Sequence, residues 1–164
     1  MDRAVVSLML IHVKGSNKTT RKLVEYATWF YAEKLMGKRL MSGLEININL
    51  KKNMIDKTDC EGTVIWEDEG PRPREFTINL DSGVKIRNLL ISLAHEMVHV
   101  KQWAKDEMYE YMKPNMVRFK GEKIHMKEVD YFDYPWEIEA YGRQLGLFIR
   151  FCENEGLDDM KEEA

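Results

Sequence analysis

The chain has 164 residues, 44% of them hydrophobic and 32% charged, with 25 basic against 28 acidic side chains. That suits one globular domain with its own core, and a formal charge of −3 excludes both a bulk polyanion binder and a collagenous or disordered chain. Two cysteines, Cys60 and Cys152, are too few for a disulfide scaffold and form no Cys-x-x-Cys pair, so they read as reduced, intracellular thiols.

The first apolar run, Ala4 to Ile11, is about half the length of a membrane span and reads as a buried strand or helix. Asp2 before it and His12-Val13-Lys14 after it do not make a secretory signal, so a cytoplasmic location with no membrane partner is expected. From Thr19 to Met36, Leu23, Ala27, Phe30 or Tyr31 and Leu35 recur at three- and four-residue steps. This predicts a helix with Ser16, Asn17 and Thr19 as candidate caps and Gly37 as its stop. Leu44 to Leu50 then alternates apolar and polar residues, as a strand with one buried face does. Gly62–Trp66 and Phe76–Leu80 are β-rich segments separated by the acidic, proline-bearing turn Glu67 to Arg74, and three strands in series suggest a small antiparallel meander.

Asp81-Ser82-Gly83 then supplies cap and turn chemistry, and apolar periodicity from about Val84 to Lys105 predicts a second, largely buried helix. Between Asp106 and Tyr134 only a small hairpin around Gly121 suggests itself, and a connection this long is usually functional or mobile. Pro135 fits the first position of a third helix reaching about Phe151. Its apolar stripe is read as Tyr141, Leu145, Phe148 and Cys152. The expected fold is α+β, in the order α-β-β-β-α-loop-α, with residues 1–152 as a single domain and 153–164 as an acidic, disordered tail.

The overall charge also conceals an asymmetry. Residues 1–60 hold eleven Lys or Arg against six acids, whereas residues 61–164 hold fourteen against twenty-two. The basic half is either a solvated helix face or a surface for nucleic acid or an acidic protein.

The chemistry is concentrated in His95-Glu96-Met97-Val98-His99. On a helix, residues i and i+4 lie one above the other, so both imidazoles can grip one metal ion. Glu96, about 100° further round, can reach a water beside the metal without ligating it. A zinc hydrolase needs this arrangement: zinc lowers the pKa of the water and the carboxylate accepts its proton. A shuffled chain of this composition contains His-Glu-x-x-His roughly once in a hundred. Here the motif also falls among Leu93, Ala94, Met97, Val98 and Val100, where a desolvated imidazole pair without a cation is costly.

The third ligand is sought in Pro135-Trp-Glu-Ile-Glu-Ala-Tyr141, since the remaining histidines are His12 and His125. Glu137 aligns with the apolar stripe and Glu139 with Arg143, Gly146 and Arg150, the wet side of the helix. An acid heading an apolar stripe needs a partner, so Glu137 is preferred, although a carboxylate in a first helical turn is also favoured by the helix dipole alone.

His-Glu-Met-Val-His followed by Glu-x-x-Ala on a later helix resembles the gluzincin class of zinc metallopeptidases. With Pro-Trp-Glu-Ile-Glu-Ala and the order of elements, the chain looks like small SprT-like or phage-encoded zincin domains. The resemblance implies a compact zincin-like fold with the motif on its central helix, His95, His99 and Glu137 as Zn2+ ligands and Glu96 as general base. Three features depart from it: no histidine follows within 25 residues of His99, no cysteine-pair ribbon is present, and Tyr141 stands where many gluzincins carry an aspartate.

Oxyanion stabilisation would fall to Tyr131, Tyr134 or His125, and Tyr134 is taken because it adjoins the third helix. An extended substrate could add as a strand along Gly62–Trp66 or Phe76–Leu80, while Trp103 and Trp136 read as core and cleft wall. The function expected is therefore a zinc metallopeptidase acting on a peptide or protein. The alternatives are a silent zinc-stabilised module that binds nucleic acid or a protein through the basic half, with His125 as a possible fourth ligand, and a hydrolase of some other bond.

Overall fold

The computed structural model describes residues 8–55 and 60–161 of the chain. Their elements run β1 (Leu10–Lys14), α1 (Lys18–Met41), β2 (Glu45–Lys51), β3 (Gly62–Trp66), β4 (Glu75–Asp81), α2 (Ile86–Ala104), β5 (Met108–Glu110), β6 (Met116–Phe119), β7 (Glu122–His125) and α3 (Pro135–Glu155). The architecture is α+β, with three long helices and two small sheets. No helix among the described residues is long and apolar enough to cross a membrane.

The main sheet has the order β1-β2-β4-β3. The strand segments match the sequence pattern, but the antiparallel meander does not form: β1, β2 and β4 are parallel, and only β3 runs antiparallel, beside β4. Alternation reports which residues share a face and is silent about strand direction. Direction comes from the connections, and the 24-residue α1 between β1 and β2 is the kind of crossover that parallel pairing requires. The described part of the early apolar run, Leu8 to Ile11, leads into and opens β1, while Ala4 to Ser7 lies outside the described residues.

The alternation itself is fully expressed. Ile46, Ile48 and Leu50 stand beside Phe76, Ile78 and Leu80 in register, and all six are buried. The opposite face carries Asn47, Asn49, Thr77 and Asn79, with the Asn49 Nδ2–H donating to Asn79 Oδ1 at 3.2 Å. A single apolar face leaves one side for helices, and α1 and α2 cover it.

Asn17 caps α1 by accepting from the Thr20 N–H at 2.8 Å, which satisfies one of the free amides of the first turn. Gly37 breaks that helix, as read from the sequence, with a positive φ of 77°. A further turn then carries it to Met41. The Tyr31 hydroxyl donates to Leu90 O at 3.0 Å and ties α1 to α2. The small sheet β5-β6-β7 is antiparallel. Its β6–β7 hairpin turns at Lys120 and Gly121, both with positive φ, as a two-residue primed turn demands.

Two further readings need correction. Asp81 does not cap α2; its carboxylate accepts from the Gly83 N–H at 2.8 Å and the Ile55 N–H at 3.1 Å, tying the end of β4 to the segment after β2. The tail does not begin at Glu153: α3 continues to Glu155, Gly156 closes it in the left-handed conformation, and a 3₁₀ turn follows at Asp158–Met160. Leu157 and Met160 supply the reason, since both pack against the core. Residues 162–164 lie outside the described residues.

Candidate metal centre

The candidate site lies where the middle of α2 meets the first turn of α3. His95 and His99, one helical turn apart, turn their imidazoles to the same side, with ring centroids 4.9 Å apart. Glu137 reaches them from the third position of α3, a helix that starts at Pro135 because proline's fixed φ and missing N–H suit that place. His95 Nε2 stands 3.1 Å from Glu137 Oε2 and 3.2 Å from His99 Nε2, and His99 Nε2 stands 3.3 Å from Glu137 Oε1. All three side chains are buried. Among the described residues this is the grouping able to hold a metal ion.

The donor set fits zinc. Ligands about 2.0–2.1 Å from a tetrahedral ion stand about 3.3 Å from one another, close to the 3.1–3.3 Å between the two Nε2 atoms and from each of them to its own Glu137 oxygen. Each imidazole is also held from behind: Gln144 Oε1 lies 2.8 Å from His95 Nδ1, and Gln102 Oε1 lies 2.8 Å from His99 Nδ1. The tautomer in which each Nδ1–H donates to its amide oxygen turns both Nε2 lone pairs to the centre, beside a carboxylate. Lone pairs of two imidazoles and a carboxylate in contact repel unless a cation or a proton lies among them.

The electrostatics agree. Burial opposes the charged form of His99, but hydrogen bonds to Glu137 and the nearby carboxylates of Glu96 and Glu137 outweigh it and raise its pKa. Burial pushes the Glu137 carboxyl up, and its hydrogen bonds and attraction to the two histidines bring it down to about 2. Burial raises the Glu96 carboxyl above its ordinary value against the opposing pull of His99 and His95.

The site opens on a cleft of about 750 Å³ lined by Gly62, Ser92, His95, Glu96, Tyr131 and Phe132 among others. One wall is aromatic: Tyr141 meets the His95 ring edge-on at 4.6 Å, and Phe132 lies 5.9 Å from Tyr141. Tyr141 and Leu145 are therefore half-exposed, not the buried stripe read from the sequence. The buried side of α3 is Trp136, Glu137, Ala140, Leu147, Phe148, Phe151 and Cys152, because the cleft removes the neighbour that Tyr141 would have packed on.

The other candidates fall elsewhere. Glu139 is not on a wet face: its carboxylate accepts from Lys101 Nζ at 2.6 Å and from Gln102 Nε2 at 2.9 Å. Tyr134, taken as the oxyanion group, is turned away, its hydroxyl donating to Met126 O at 2.8 Å and its ring stacked on Trp136 at 4.6 Å. Tyr131, by contrast, lines the cleft together with His95, Glu96 and Tyr141. His125 ends β7 outside the cluster, and His12 pairs with Glu45 on the first strand pair at 3.4 Å. Trp103 packs on Trp66 at 4.2 Å and Trp136 on Phe119 at 6.0 Å, both buried.

Sequence reasoning missed Gln102 and Gln144. Gln102 could have been found, since it stands three residues after His99 on the same helix and so faces the same way; Gln144 comes from α3 and only the helix crossing reveals it. Gly62 was also missed as a neighbour of Glu96, whose Oε1 would lie 3.1 Å from a β-carbon placed there. Comparison with protein-family models, with curated proteins and with solved structures finds no match to this chain.

Proposed function

We propose that the protein is a zinc-dependent metallopeptidase, with His95, His99 and Glu137 holding the ion and Glu96 acting as general base. The observation that carries this reading is that the two imidazole Nε2 atoms lie 3.2 Å apart and each stands 3.1–3.3 Å from an oxygen of the Glu137 carboxylate, beside an open cleft. When bound, zinc supplies a Lewis acid that polarises a carbonyl and makes water acidic enough to lose a proton near neutral pH. Glu96 would take that proton on its carboxylate and return it to the leaving amine. Tyr131 donates its hydroxyl to the oxygen that gains charge.

Of the two strands expected to receive an extended substrate, β4 is interior and β3 is the sheet edge. Gly62, the first residue of β3, lines the cleft, so a peptide adding along β3 would run past Glu96. A closed structural site is less well supported, because His125 is not in the cluster and His95, with Glu96 beside it, lines an open cleft. The basic excess of the first half falls largely on α1, where Glu25 and Glu33 interrupt it, as on a solvated helix face.

The test is zinc content by elemental analysis together with cleavage of a peptide library read by mass spectrometry. Glu96→Gln is expected to keep one zinc per chain and lose turnover by a factor of 10² or more, while His95→Ala loses the metal. Protein that takes up no zinc, or a His95→Ala variant that binds it equally well, would sink the proposal.

A further inference from the structure

Gln102 sits about two turns after the motif begins, near the end of α2, fully buried, and it makes three hydrogen bonds. Its Nε2 donates to Trp136 O at 3.0 Å and to Glu139 Oε1 at 2.9 Å. Its Oε1 lies 2.8 Å from His99 Nδ1. An amide side chain can be turned over, exchanging oxygen and nitrogen, unless its surroundings forbid it. Here they do. A carbonyl and a carboxylate oxygen can only accept, so the NH₂ end must face them and the oxygen must face His99. An oxygen in that position can only accept as well, so His99 carries its proton on Nδ1 and leaves the Nε2 lone pair for the cluster.

Glu139 is the anchor of this arrangement. Its Oε2 accepts from Lys101 Nζ at 2.6 Å and pairs with Arg143 Nε at 3.1 Å, and Lys101, itself buried, also pairs with Glu107 at 2.9 Å. We infer that Glu139 and Gln102 form a relay that fixes the tautomer and orientation of His99, so that Gln102 is a positioning residue for the metal centre. This rests on the proposed zinc reading only for its consequence; the relay itself concerns the metal-free protein too. It also gives Glu139, passed over as a ligand, a role one step behind the site. Partners behind a ligating histidine raise its basicity and hold its ring, and their loss typically weakens metal binding 10- to 100-fold.

Two measurements test it. Gln102→Met has nearly the same length and can neither accept from Nδ1–H nor donate to Glu139. Its zinc dissociation constant, read by chelator competition, is expected to rise roughly 10- to 100-fold in protein that still folds by circular dichroism. A folded variant that binds zinc within about threefold of the parent would refute a positioning role, since a purely packing role for Gln102 would change the melting temperature and leave zinc affinity alone. The second measurement needs no variant: nitrogen NMR of the unaltered, zinc-free protein in alkaline solution, where the imidazoles are neutral, reports which ring nitrogen of His99 is protonated. Protonated Nδ1 is expected, and protonated Nε2 overturns the relay. Protein that binds no zinc but keeps His99 protonated on Nδ1 defeats the proposed function and leaves the relay standing; zinc binding with His99 protonated on Nε2 in the metal-free state does the reverse.

Discussion

Gly62→Ala separates the proposed general base from the proposed metal ligands in a single substitution. Gly62 lies in β3 with ordinary extended backbone, so alanine brings no conformational penalty of its own. Its new β-carbon would stand 3.0 Å from Leu80 Cδ2, 3.1 Å from Glu96 Oε1 and 3.2 Å from Glu96 Cγ. Carbon contacts settle near ~3.5–4.0 Å, so each neighbour must yield by a few tenths of an ångström. Leu80 is fully buried in the sheet core and has little room, so most of the displacement falls on the Glu96 carboxylate at the cleft. A misplacement of ~1 Å costs on the order of 10²-fold in rate, and about half that displacement should cost roughly tenfold, or ~1.4 kcal/mol of transition-state stabilisation. The assay is kcat/KM on a peptide found by library cleavage, with zinc content and melting temperature measured on the same samples. Activity is expected to fall roughly tenfold with one zinc per chain retained, because the three atoms nearest the new β-carbon belong to Leu80 and Glu96 and to none of the proposed ligands. Unchanged kcat/KM in folded, zinc-loaded protein would refute the reasoning, and so would zinc lost in step with activity.

Other substitutions probe the remaining parts. Glu137→Gln removes the charge that both imidazoles face, and chelator competition should show zinc bound more weakly than after the 10- to 100-fold loss typical of a supporting residue; affinity unchanged would remove Glu137 from the ligand set. Tyr131→Phe is expected to lower kcat on the order of 10²-fold with KM little changed, whereas Tyr134→Phe, whose hydroxyl is engaged by Met126 O, should leave kcat nearly intact. The opposite ranking in steady-state kinetics would restore Tyr134 to the site. Asp81→Asn turns an amide NH₂ toward backbone N–H groups and should cost about 1–3 kcal/mol in urea unfolding. The N–H of Ile55 first, then those of Gly83, Asn53 and Met54, hold the Asp81 carboxyl below its ordinary value against the opposing effect of burial. Its stabilisation is therefore present above the unfolded-state pKa of about 3.9 and is lost as pH falls through the lower folded value. A parent whose stability between about pH 5 and pH 2 declines no more steeply than that of Asp81→Asn would contradict this account.

The sequence alone determined the α+β content, the alternation of β2 and β4, the helix carrying the motif and the start of α3 at Pro135, because period, capping and proline chemistry act over a few residues. It also placed His95 and His99 together, since four residues make one helical turn. What only the tertiary structure decided is everything that depends on which segment passes beside which. A helical crossover made the sheet mainly parallel and put β3 at its edge, and the meeting of α2 with α3 brought Glu137 to the histidines. An open cleft exposed Tyr141 and left Tyr131, not Tyr134, facing the site. The orientation of the Gln102 amide is the clearest case: its acceptors, Trp136 and Glu139, lie more than thirty residues along the chain. No local rule connects them to His99, and only their packing determines which of its nitrogens is free to bind.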